Sequence, residues 1–176
     1  KLPLPPMTPR FILIILLFVA LTVPALGQEQ KIYEVSGPAR PLDADVLVVA
    51  ETHPPIRLYG IDAPEKLQPC WLDDKPWACN AVATRTLLLL IEHHEVTCRQ
   101  TKDDNRHRRG KIYAVCTAGG KDLAEEMVRA GMAVAFREQS MNYVEAEAEA
   151  SAAKVGIWAG KFLPPWEWVA EENFGG

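Results

Sequence analysis

The 176-residue chain is short of basic charge, with 19 lysines and arginines against 23 acids and a formal net charge of −4. Such a balance does not hold nucleic acid through the overall field, so any grip on phosphates must come from a local patch. No C-x-x-C pair is present, which weighs against a zinc site among the four cysteines. There is no internal repeat, and the length fits one domain with a proper core. The longest apolar run, residues 11–23, has 13 residues, whereas a membrane span needs about 20.

What is present begins with that run. Arg10 flanks it, and Ala25-Leu26-Gly27 follows as a small-x-small site, so residues 1–27 read as a secretory signal, with a non-native leader before Met7. A buried N-terminal helix is the other reading of this stretch. The mature chain is expected to begin near Gln28 and to be secreted or periplasmic. Loss of residues 1–27 removes Lys1 and Arg10 and no acid, leaving 17 basic against 23 acidic residues. Export makes disulfides plausible. Cys70 and Cys79 flank a turn-rich stretch, and Cys98 and Cys116 sit in two strand-like runs joined by a polar loop. The favoured pairs are therefore 70–79 and 98–116.

Short runs rich in β-branched and aromatic residues predict strands near 31–35, 45–50, 56–60, 95–100 and 111–116. A helix is expected over 76–93. Asp122, with Glu125 three residues on, predicts a capping box for a second helix that stops at Gly131. The "MAVAF" that follows reads as a short strand or an extended connection. "YVEAEAEASAAKVG" alternates with period two, yet alanine and glutamate favour helix, and Gly156 ends the run. Residues 161–176 form a tail rich in tryptophan. Trp166 and Trp168 are expected to cover the barrel or to offer a partner surface. The expected fold class is α+β, a five-stranded OB-fold β-barrel with three helices.

The chemistry concentrates in "IRLYGIDAPE", residues 56–65. Arg57 offers a planar, permanently charged fork for two phosphate oxygens. Asp62 and Asp45 are hard oxygen ligands suited to Ca²⁺. Pro64 holds Ala63 extended, which makes the Ala63 carbonyl a further ligand candidate. Glu65 is placed to polarise a water as general base. The loop from Arg99 to Lys111 is the one basic patch, and Arg106, Arg108 and Arg109 are its candidate phosphate contacts. Tyr59 and Phe136 are aromatic positions that could stack bases. No role is assigned to His53, His93 or His94.

"RLYGIDAPE" resembles the signature of the staphylococcal nuclease (thermonuclease-like) family. "LDADVLVV", "AVCTAGGKDLAEEMVRAGMAVAF" and "AEASAAKVGIWAG" resemble its later segments in the same order, over residues 31–160. The resemblance implies an OB-fold domain over 28–160 that hydrolyses phosphodiester bonds in DNA or RNA with calcium. Its substrates would be single-stranded or denatured nucleic acid, and the expected state is a monomer. The family's D-x-Y-G-R segment puts its second catalytic arginine at Lys111 when aligned without gaps from Ala114. The D-G-D-T segment is altered to Asp43-Ala44-Asp45-Val46. Both departures bear on catalytic strength more than on fold. A non-catalytic OB-fold module that binds single-stranded nucleic acid or a protein partner is the alternative.

Overall fold

The computed structural model describes residues 33–52, 54–101 and 112–174. The signal-like stretch 1–27, His53, and the loop residues Arg106, Arg108, Arg109 and Lys111 lie outside the described residues.

Eleven strands are described: β1 (Glu34–Gly37), β2 (Ala39–Asp43), β3 (Val46–Val49), β4 (Ile56–Leu58), β5 (Ile61–Asp62), β6 (Cys70–Leu72), β7 (Lys75–Trp77), β8 (Val96–Gln100), β9 (Ile112–Ala118), β10 (Lys121–Asp122) and β11 (Val134–Ala135). The helices are α1 (Cys79–Ile91), α2 (Leu123–Arg129), α3 (Val144–Ala153) and α4 (Pro165–Phe174), with one 3₁₀ turn at Gly156–Ala159. The main sheet runs β1-β8-β9-β4-β3-β2, with β10 paired to β9, and it curls into a half-barrel. The fold is α+β and OB-like, as expected. All pairs in this sheet are antiparallel except β4 with β9.

All five expected strands are found, and the structure adds others. β2 carries Pro41, which reads as a turn former in sequence. It forms the sheet edge, where a missing N–H is tolerated, and a register shift follows between Pro41 and Asp43. The segment 70–77 is a β6–β7 hairpin and not the first turn of a longer helix, so α1 begins at Cys79. "MAVAF" supplies β11, which pairs with β5. The tail contains α4, whose first residue is proline, a favoured helix-starting position.

Asp122 caps α2 by accepting from the Ala124 and Glu125 N–H groups at 2.8 and 3.3 Å. The Glu125 carboxylate pairs with Arg129 one turn on, so the reciprocal half of the capping box is spent on an i,i+4 ion pair. Gly131 ends the helix at φ +63°. A Cβ there would meet the Val155 carbonyl oxygen at 2.3 Å, and the Ile157 N–H donates to the Gly131 carbonyl at 2.9 Å. The alternating run is helical, as α3, and Lys154 ends it in a left-handed conformation at φ +53°. Buried Glu147 ties α3 to β11 by accepting from the Ala135 N–H at 2.8 Å and from Arg137 at 2.5 Å.

The core joins Leu47, Val49, Ile56 and Leu58 of the sheet to Leu87 of α1 and Met127 of α2, all buried. A second, smaller cluster joins Cys70, Cys79, Val134 and Ile157, with Trp77, Trp158 and Phe162 against it. Both expected disulfides, Cys70–Cys79 and Cys98–Cys116, are formed. The second joins directly opposed residues of β8 and β9.

The Cys98–Cys116 bridge spans a sequence separation of 18. In the chain-entropy account its loss costs about 3 kcal/mol. The Cys98→Ala/Cys116→Ala double variant should show a clearly lower denaturant midpoint than wild type, and the Cys70→Ala/Cys79→Ala variant a smaller fall. A wild-type midpoint in the first variant would contradict the bridge's structural role.

Candidate active site

Two strands and two turns bring the charged groups together. Asp45 lies between β2 and β3, at the tip of their connection. Arg57 is the middle residue of β4 and pairs across the sheet with Val46, the residue after Asp45. The Leu58 N–H donates to the Asp45 carbonyl at 2.9 Å, which fixes the tip of that turn over β4. Asp62 ends β5, and Val134 of β11 faces it in register. Glu65 follows in the turn after buried Pro64.

One nitrogen collects the acids. Arg57 Nη2 lies 2.7 Å from Asp45 Oδ2, 2.5 Å from Asp62 Oδ1 and 3.9 Å from Glu65 Oε1. The Arg57, Asp45 and Asp62 side chains are 18, 7 and 14 % exposed, whereas Glu65 is 35 % exposed. Glu65 is thus the member that solvent reaches. Burial opposes the Arg57 charge, yet the fields of Asp45, Asp62, Tyr113 and Glu65 more than reverse this, so its pKa stands above the ordinary arginine value. Burial pushes the Asp62 carboxyl up. Arg57 pulls it back, Asp45 and Glu65 push it further up, and the result is about 7. Among the described residues one guanidinium therefore faces three carboxylates, and negative charge is in excess.

That excess and the donor set suit a divalent cation. The donors are carboxylate oxygens, the hard ligands that calcium takes. Among the described residues no group of three or more His, Cys, Asp or Glu side chains could hold an ion unaided. A cation here would take Asp45 and Asp62 and complete its shell with backbone carbonyl and water oxygens. The Ala63 side chain is buried in the core, 3 % exposed.

Two amides, absent from the sequence reading, hold the turn. Gln68, 3 % exposed, accepts from the Glu65 N–H at 2.9 Å and donates to the Leu163 carbonyl at 2.7 Å. Asn80, in the first turn of α1, donates from Nδ2 to Asp43 Oδ1 at 2.7 Å and to the Pro64 carbonyl at 2.6 Å. Gly60 is fixed from the other side, where its N–H donates to Gln139 Oε1 at 2.9 Å. A Cβ at Gly60 would lie 2.7 Å from the Tyr143 ring. The sequence signal for Gln68 and Asn80 is faint, because their partners lie far along the chain.

The expected aromatic positions have structural partners. The Tyr59 hydroxyl donates to the Gln139 carbonyl at 2.5 Å, and the Phe136 ring lies 5.7 Å from that of Trp166. Arg99, at the start of the basic loop, pairs with Glu34 at 3.0 Å. Lys111, Arg106, Arg108 and Arg109 are outside the described residues, although β9 begins directly after Lys111 and pairs in parallel with β4.

A curled OB-like sheet with an arginine and three acids gathered at one strand mouth defines the class, a small α+β domain built around a charged cluster. Residues 55–160 match the staphylococcal nuclease homologue family, which is more than half of the chain, and the chain belongs to that family. The probable endonuclease LCL3 of Phaeosphaeria nodorum is 32% identical over 126 residues, covering 66% of this chain and 42% of that protein. An uncharacterized endonuclease of Haemophilus influenzae is 31% identical over 121 residues, covering 67% of this chain and 61% of that protein. The chain thus spans less than two thirds of the length of either relative.

The raised Asp62 pKa has a stability consequence. The folded state binds this proton more tightly than the unfolded chain, whose carboxyl sits near 3.8. The Asp62 contribution to stability is therefore lost as pH rises from about 4 to about 7. In calcium-free denaturation curves, Asp62→Asn should gain on wild type steadily across that window. A constant difference between the two proteins would show that Asp62 ionises at its ordinary pKa.

Proposed function

We propose that this protein is an exported, calcium-dependent nuclease that hydrolyses phosphodiester bonds in DNA or RNA, with single-stranded or denatured strands as substrate. The observation that carries this reading is the Arg57 cluster, a single guanidinium shared among two buried carboxylates and a more exposed third. The family match and the two endonuclease-named relatives support the same reaction class. Two disulfides support an oxidising compartment. Export with residues 1–27 as signal and a domain over 28–160 are part of the proposal. Among the described residues no helix is long and apolar enough to cross a membrane.

Each residue has a role set by its place. The guanidinium carries five N–H donors, and the three acids all meet it at Nη2. Its remaining edge is assigned to two phosphate oxygens, a fork that strengthens as charge builds in the transition state. Asp45, Asp62 and the Ala63 carbonyl are assigned to calcium. Bound calcium would offset phosphate charge and polarise a phosphate oxygen. Glu65, nearest to solvent, accepts the proton of the attacking water. Gln68 and Asn80 keep the Glu65 turn in place. Lys111 is assigned as the second cation on the phosphate, and Arg106, Arg108 and Arg109 as contacts to flanking phosphates.

Hydrolysis of denatured DNA by the mature protein should require Ca²⁺ and stop with chelator. Glu65→Gln should lower kcat by about 10²–10³ with KM little changed. Full activity in Glu65→Gln would remove Glu65 from the reaction. Absence of turnover in wild type, with strand binding that still depends on Arg57, would replace the enzyme by a binding module.

A lysine at position 111 keeps the charge but lacks the two-pronged grip of arginine. Lys111→Arg should raise kcat by about tenfold to a hundredfold if one charge-assisted contact is regained, and Lys111→Ala should lower it. If Arg109→Ala abolishes turnover while both Lys111 variants match wild type, Arg109 is the working cation.

A further inference from the structure

A cavity of about 800 Å³ opens beside the Glu65 turn. Its lining includes Lys66, Leu67, Gln68, Trp77, Asn80 and Ala81. One wall is the β6–β7 hairpin, clipped to α1 by the Cys70–Cys79 bridge, and the other is the first turn of α1. Trp77 is half-buried against the second apolar cluster and lines the cavity. Leu67 is 91 % exposed and held at φ +67°, a left-handed conformation that is strained for a side chain of this kind. An apolar side chain displayed in this way at the mouth of a cavity buries nothing in the chain itself.

The cavity adjoins the turn that carries Glu65. Lys66 and Leu67 are the two residues after Glu65. Two lining residues hold the catalytic turn directly, Gln68 through the Glu65 N–H and Asn80 through the Pro64 carbonyl. On the nuclease reading, the opening lies beside the turn whose Glu65 would act on a phosphodiester seated on Arg57, where a flanking nucleoside would need a place. The walls suit a nucleobase, with the Trp77 indole and Leu67 for its faces; the amides of Gln68 and Asn80 are engaged with the Glu65 turn, Leu163 and Asp43 and serve to shape the opening. The Lys66 ammonium, 70 % exposed and 3.8 Å from Asp43 Oδ2, stands at the rim within reach of a strand phosphate.

We infer that this cavity is a nucleobase subsite, which takes the base of the nucleotide next to the scissile phosphate. The inference rests on the nuclease reading for its register but makes a separate demand, that affinity depends on the base and not only on the phosphates. Base stacking on such a wall is worth roughly tenfold to a hundredfold in affinity. It does not touch the reacting atoms, so the gain belongs in KM and not in kcat.

Ala81→Trp fills the cavity from an exposed position of α1 and leaves the core alone. Leu67→Gly removes the displayed side chain and relieves its strained backbone. Both are compared with wild type in Ca²⁺, on a single-stranded oligodeoxyribonucleotide and on a fully abasic oligomer of the same length. Wild type should have a KM about tenfold to a hundredfold lower for the base-bearing strand. Ala81→Trp should lose most of that preference, with kcat and the abasic KM unchanged, and Leu67→Gly should lose part of it without a fall in Tm. Retention of the full preference in Ala81→Trp, or equal KM values for both oligomers in wild type, would overturn the subsite. If wild type cleaves neither strand, the nuclease reading fails, and the subsite is then decided by equilibrium binding of the same two oligomers. Weaker base-dependent binding in Ala81→Trp would uphold it, and unchanged binding would overturn it.

Discussion

A single guanidinium shared among three carboxylates is the constraint around which the site is arranged. Charges this far from water are tolerated only when paired, and removing one member leaves the others stranded at several kcal/mol of cost. Arg57 meets that demand from the middle of β4, with β3 on one side and β9 on the other. Asp45 arrives from the turn before β3 and Asp62 from β5, so three separate backbone segments are held by one side chain. Among the described residues this cluster sets one positive charge against three carboxylates. Burial does most to raise the Asp62 pKa, Arg57 pulls it back, and the Asp45 and Glu65 charges push it up again; an additional cation would relieve that repulsion.

The rest of the domain holds these segments in register. Gly60, two residues before Asp62, is fixed to Gln139 and to Phe136 by backbone and side-chain hydrogen bonds. β11 pins β5, and the Glu147–Arg137 pair pins β11 to α3. On the far side of the turn, Gln68 reaches Leu163, and Trp71 pairs with Lys161. The tail is therefore stitched to the disulfide-clipped hairpin, and the hairpin to the Glu65 turn. Precise placement of a base near a phosphate needs this kind of support from rigid elements.

Much of this was legible in the sequence because it depends on local pattern. The nine-residue signature, the Asp122 cap, the Gly131 stop and the strand-like runs around Cys98 and Cys116 all report neighbours a few residues away, whereas α3 ends at a left-handed Lys154, two residues before the expected Gly156. β2 was not legible, since proline argues against a strand unless the strand lies at an edge, and edge position is a property of the whole sheet. The β6–β7 hairpin was hidden for the same reason, with Pro76 opposite Trp71 in a ladder of two short strands. Gln68 and Asn80 were hidden because an amide carries no sign of which carbonyl it will meet. Their partners include residues 95 and 37 positions away. The roles assigned to Lys111 and the neighbouring arginines rest on sequence alignment, as these residues lie outside the described structure.

The central claim is that Asp45 and Asp62 together form a cation site within the Arg57 cluster. Calorimetric titration of Ca²⁺ into wild type, Asp45→Asn, Asp62→Asn and Asp43→Asn tests it most directly. Asp43 is the control, because it binds Asn80 and approaches Lys66, outside the Arg57 cluster. The account predicts one calcium site in wild type and in Asp43→Asn, weakened by at least about tenfold in each of the other two variants, since each removes a charged ligand. Equal calcium binding in all four proteins would contradict it.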